Sequence, residues 1–172
     1  MDAARQRLIQ ERKALAASRP PGCWARPRKS SDGSVDLLNW EVGIIPPPTS
    51  AFALPEGDTL RLLFTFSSDY PSTAPTVRFT PPIFHTNVWP DGRVCLSLLL
   101  PKGHHADAKV KHSGHWVPSL TVADLLVAMT TFLDEPNPHS IANAEACAMA
   151  KKSLAGYEAE ARRRMKAYRP PS

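Results

Sequence analysis

The apolar positions of this chain change period along its length, and the changes divide it into successive elements. Residues 2–18 carry Leu8, Ile9 and Leu15 as a narrow apolar stripe among charges. Pro20-Pro21 ends the helix this predicts. A short strand is expected at Cys23–Arg26, followed by the turn signal Ser31-Asp32-Gly33. From there every second residue is apolar in three runs: Leu38, Trp40, Val42, Ile44; Leu60, Leu62, Phe64, Phe66; and Val77, Phe79. Alternation of this kind is strand periodicity, and the prolines and Gly57 between the runs suit the turns of an antiparallel meander.

Between Thr80 and Pro118 no period holds. A segment of that length inside a compact domain is usually functional or disordered, and this one contains Cys95, which favours function. Val122, Leu125, Leu126, Met129, Phe132 and Leu133 then repeat at the spacing of a buried helix. Thr121 with Asp124 resembles a capping box, and Glu135-Pro136-Asn137-Pro138 stops the helix. Residues 140–168 are Ala-rich and predict one or two further helices, with Ser140 as N-cap. The expected fold is α+β: an N-terminal helix, a four-stranded antiparallel meander, a long active-site segment and C-terminal helices. We expect one domain over 1–172, with 99–115 as an inserted loop.

Composition narrows the function class. No apolar run approaches the roughly 20 residues of a membrane span, and the start, Met1-Asp2-Ala3-Ala4-Arg5, has no secretory apolar core. Three widely spaced cysteines suit free thiols better than a disulfide framework. Cys23 and Cys147 read as small buried hydrophobes. A net charge of +5 suits nucleic acid, acidic membranes or an acidic protein partner, and composition does not choose among them. The basic clusters near each end are not interleaved with aromatics for base stacking, so direct nucleic-acid binding is not expected.

The chemistry lies in Phe84-His85-Thr86-Asn87-Val88-Trp89-Pro90-Asp91-Gly92-Arg93-Val94-Cys95. A His-x-Asn tripeptide, a Gly-containing turn and a Cys eight residues after the Asn resemble the signature of ubiquitin-conjugating enzymes. Tyr70-Pro71, Pro81-Pro82, Trp116 to Pro118 and Glu135-Pro136-Asn137 lie around it in the family's order, so the resemblance runs from Arg7 to Pro170. It implies Cys95 as the thiol that carries a ubiquitin-like protein as a thioester. Asn87 is implied either to stabilise the oxyanion or to order the loop, and His85 to be structural. Thr86 replaces the family's Pro and is expected to loosen that turn.

Within the family the chain looks most like the SUMO-conjugating type, on the longer hairpin from Lys29 to Glu41 and the first-helix run Arg7 to Leu15. That resemblance implies Arg12, Lys13 and Arg19 as the surface for SUMO and the activating enzyme. It implies Arg78, Asp91, Arg93, His139, Ser140 and Ala142 around the substrate lysine. Trp89 stands for the family's Tyr and Ser140 for its Asp. Arg93, two residues from Cys95, is expected to pair with the acid of an apolar–Lys–any–Glu motif. The implied partners are SUMO or another ubiquitin-like protein, an activating enzyme, ligases and substrate proteins, in nucleus and cytoplasm. No cofactor is implied, because the acyl group arrives already activated.

Four of the six histidines fall in the insertion (His104, His105, His112, His115), without a Cys partner. A solvated loop is expected there and a zinc site is not. The rival readings are a ubiquitin-conjugating enzyme and a non-enzymatic module of the same fold, against which Cys95 stands. A Cys hydrolase lacks an identifiable base and orienter.

Overall fold

A computed structural model describes residues 2–102 and 114–170. Helix α1 (Ala3–Ala17) is followed by β1 (Cys23–Lys29), β2 (Val35–Ile44), β3 (Leu60–Thr65) and β4 (Thr76–Phe79). A 3₁₀ turn (Ser97–Leu99) precedes α2 (Val122–Phe132), α3 (Ala144–Lys152) and α4 (Leu154–Met165). The strands form one antiparallel sheet in the order β1-β2-β3-β4, the expected meander. β1 runs to Lys29, beyond the predicted Arg26, across a register shift between Pro27 and Arg28. Pro27 is tolerated because β1 is an edge strand. Among the described residues no helix is long and apolar enough to cross a membrane.

The period-2 residues do what alternation requires. Trp40, Val42, Ile44, Leu60, Leu62, Phe64, Val77 and Phe79 are all buried in the core. They share one cluster with Ala4, Leu8 and Leu15 of α1 and with the predicted stripe of α2. On the other face of the sheet, the Trp24 ring lies against Gly43. A Cβ at Gly43 would fall 2.1 Å from the Trp24 indole nitrogen, so the ring lies where only glycine leaves room.

Helix boundaries follow local chemistry. Thr121 and Asp124 form the capping box, each accepting from the other's backbone N–H. Ser140 is not an N-cap. Asn143 caps α3 through Ala146 N–H at 3.0 Å, and Ser153 caps α4 through Gly156 N–H at 3.0 Å. Residues 137–143 are drawn into the loop described below, which leaves Asn143 as the first free capping side chain.

One buried carboxylate joins α1 to α2. Glu11 is 5 % exposed. Its Oε1 accepts from the Tyr70 hydroxyl at 2.5 Å and from Arg7 Nε at 2.6 Å; its Oε2 accepts from Val122 N–H at 2.6 Å. Arg7 also donates to the Leu120 carbonyl at 3.1 Å. A carboxylate at the first turn of α2 supplies an acceptor to an otherwise unpaired backbone donor and favours the helix dipole. Removing it strands three donors. Glu11→Ala is expected to cost about 3 kcal/mol, read as a lowered urea midpoint at unchanged slope.

Candidate active site

A tight hairpin presents the cysteine. Trp89 N–H donates to the Arg93 carbonyl and Gly92 N–H to the Trp89 carbonyl, each at 2.8 Å, while Val88 bridges Val94. Gly92 has φ +92°, and a Cβ there would meet the Phe79 carbonyl at 2.3 Å, so both the turn and the close approach require glycine. Phe79 N–H donates to Gly92, and Val94 N–H donates to Val77 at 2.9 Å, docking the hairpin on β4. Cys95 follows directly, its N–H donating to the Asn87 carbonyl at 2.8 Å.

The Asn87 side chain fastens this segment to the loop after α2. Asn87 is 1 % exposed. Its Oδ1 accepts from Asn137 N–H at 2.8 Å; its Nδ2 donates to the Asn137 carbonyl at 2.8 Å and to the Ser140 carbonyl. Thr86, which replaces a ring-fixed Pro, is buried as well. Its carbonyl accepts from Ala142 N–H at 3.0 Å and Asn143 N–H at 3.1 Å.

His85 is fully buried. It stacks on Phe132 at 4.5 Å, and its Nδ1 accepts from Asn87 N–H at 3.0 Å. Burial pulls its pKa down to about 4, against the opposing backbone groups of Leu133 and Phe132, so the ring stays neutral. Its Nδ1 is thus engaged by the Asn87 N–H within the same loop.

Cys95 is half-buried and lines a cleft of about 480 Å³ with Asn87, Ser97, Phe132, Glu135 and Asn137. Burial pushes its thiol pKa up, and a hydrogen bond from Ser140 opposes the shift. Ser140, which by sequence position stands beside the incoming lysine, lies in the loop held by Asn87, whose Nδ2 donates to its carbonyl. Cys23 is buried and its thiol pKa is raised by burial; Cys147 is half-buried with Sγ 3.5 Å from the Thr86 carbonyl.

The other sequence-predicted residues divide. Arg93 bridges Arg78 across the sheet extension, and Asp91 pairs with Arg93 at 2.7 Å. Trp89 is 41 % exposed on the hairpin. His139 is exposed, and its N–H donates to Asn137 Oδ1 at 2.9 Å; no described residue hydrogen-bonds its ring. Ala142 is 5 % exposed, and its N–H donates to the Thr86 carbonyl at 3.0 Å. Arg12, Lys13 and Arg19 are exposed, and Arg12 and Arg19 border a shallow groove against β1. Sequence reasoning missed Glu135 and Phe132 as cleft residues. Glu135 opens the quoted Glu-Pro-Asn run, the one signal for it.

His104, His105 and His112 lie outside the described residues, as does the insertion from 103 to 113. Among the described residues no three His, Cys, Asp or Glu side chains are placed to hold a metal ion.

The sequence model described as ubiquitin-conjugating enzyme matches residues 7–165. The chain belongs to the ubiquitin-conjugating enzyme family. It is 38 % identical over 152 residues to the SUMO-conjugating enzyme UBC9 of Caenorhabditis elegans, covering 88 % of this chain and 83 % of that one. It is 36 % identical over 165 residues to the Sumo-conjugating enzyme ubc9 of Dictyostelium discoideum, covering 96 % and 95 %. It is also 40 % identical over 119 residues to the ubiquitin-conjugating enzyme E2 13 of Arabidopsis thaliana, covering 67 % and 70 %.

The electrostatics of the Cys95 thiol are measurable. Because burial raises the Cys95 pKa, less thiolate is present at neutral pH than for an ordinary cysteine. Iodoacetamide should react with Cys95 more slowly than with a free thiol, the rate rising into the alkaline range. Ser140→Ala removes the one donor that favours the thiolate and should move the midpoint of that profile further up.

Proposed function

We propose that this chain is a SUMO-conjugating enzyme, taking SUMO from an activating enzyme onto Cys95 and passing it to substrate lysines. What carries the reading is the pairing of a half-buried cleft thiol at Cys95 with near-full-length similarity to two relatives named for SUMO conjugation. Nuclear and cytoplasmic location, ligases and substrate proteins follow as parts of the same reading.

The first step exchanges one thioester for another. The Cys95 sulfur attacks the carbonyl carbon of the cargo's C-terminal thioester, a new S–C bond forms, and the activating enzyme's thiol leaves. Both sides of the exchange are thioesters, so little energy separates them. In the second step the substrate's lysine nitrogen attacks that carbon. The C–S bond breaks, and the proton released from nitrogen goes to the Cys95 sulfur or to water. A lysine amine, with a free pKa of about 10.4, must be neutral to attack. Desolvation beside Trp89 favours the neutral form.

Asn87 has two roles open to it. Both of its Nδ2 donors are used by the Asn137 and Ser140 carbonyls, which supports ordering of the loop. Donation to the oxyanion requires releasing one of them. Arg93 is the proposed reader of the motif's acid, with Arg78 beside it. Arg12, Lys13 and Arg19 are the proposed contacts for SUMO and the activating enzyme; basic side chains there raise association rates with acidic partners.

A second reading, with ubiquitin as cargo, is favoured by the name of the plant relative. Incubation with activating enzyme, ATP and either cargo separates them. A thiol-sensitive adduct with SUMO, lost in Cys95→Ser, is the expected result; an adduct with ubiquitin alone moves the cargo assignment. Arg93→Glu should weaken transfer to Glu-containing motifs several-fold while leaving Cys95 charging intact. Equal loss of both would remove Arg93 from substrate reading.

A further inference from the structure

Asp91 stands two residues from the arginine proposed to read the acceptor, and its carboxylate is already spent on that arginine. Oδ2 accepts from Arg93 Nε at 2.7 Å, and Oδ1 accepts from Arg93 N–H at 3.0 Å. Arg78 faces Arg93 in a cross-strand bridge, an arrangement in which like charges repel. The Asp91 carboxylate is paired with Arg93. The Arg93 N–H, then the Arg93 and Arg78 charges, hold its carboxyl below the usual range. Both members of the pair are about half exposed. An exposed pair of this kind is weak enough for an incoming group to displace.

We infer that Asp91 is a built-in competitor: in the free enzyme it occupies on Arg93 the place that the acid of an acceptor motif takes, and so reduces discrimination between acidic and neutral motifs. The inference rests on Arg93 being the reader of that acid, as proposed above. A motif glutamate approaching Arg93 must displace the Asp91 carboxylate or meet it as a like charge. A motif with a neutral residue there meets neither obstacle. Specificity is a difference of affinities, and Asp91 acts on one side of it.

The backbone role of Asp91 is separable from its charge. Asparagine keeps an oxygen for the Arg93 N–H, and serine keeps a hydroxyl oxygen, so either substitution leaves the turn an acceptor. The experiment uses full-length enzyme already charged on Cys95, and two acceptor peptides differing only in Glu or Gln at the acidic position. The readout is the ratio of their kcat/KM values for discharge. In Asp91→Asn and Asp91→Ser the Glu/Gln ratio should rise about 2- to 5-fold, through KM for the Glu peptide, and the gain should shrink with added salt. An unchanged or lowered ratio in both variants overturns the inference. Arg93→Gln keeps the two proposals apart. If it abolishes the wild-type preference while the Asp91 variants do nothing, only the competitor role falls. If the preference survives Arg93→Gln, the reading of Arg93 falls and the competitor with it.

Discussion

The side-chain amide of Asn87 joins two segments about 50 residues apart in sequence, and the geometry of the site depends on it. Its carbonyl oxygen and both of its N–H donors are taken by the backbone of Asn137 and Ser140, while the residue's own main-chain carbonyl accepts from Cys95 N–H. A buried amide left half-satisfied is costly in low dielectric, whereas one satisfied on all sides fixes what it touches. The cysteine is thereby held against the loop that carries Ser140, without any covalent link between them.

That placement sets the character of the thiol. Burial disfavours the thiolate and Ser140 favours it, so Cys95 lies between an inert buried sulfur and an exposed reactive one. In thiol exchange a leaving group of higher pKa departs more slowly. A raised pKa therefore suits a sulfur that must hold its acyl group until an amine arrives. His85 is kept neutral by burial and is stacked on Phe132.

Much of this was legible in the chain itself. Periods of two and of three to four residues located the meander and α2, Thr121 and Asp124 announced the capping box, and the Asn87-to-Cys95 spacing located the reactive hairpin. What was not legible came from tertiary contacts that local pattern does not encode. Glu11 reads as a surface charge on a helix, yet it is buried by groups 59 and 111 residues away. Ser140 reads as an N-cap, yet its loop is drawn onto Asn87 and Thr86, so Asn143 caps instead. The Thr86 carbonyl takes the Ala142 N–H, a bond that sequence position alone does not show.

Hydrogen exchange at the Asn137 amide, compared between wild type and Asn87→Ala, tests most directly whether this one side chain holds the acceptor loop against the cysteine. In the wild type that amide donates to Asn87 Oδ1 and should exchange slowly. In Asn87→Ala it should lose its protection while the amides of the β2–β3 ladder keep theirs, and lysine discharge should fall together with it. Protection of the Asn137 amide that survives Asn87→Ala unchanged would contradict the account.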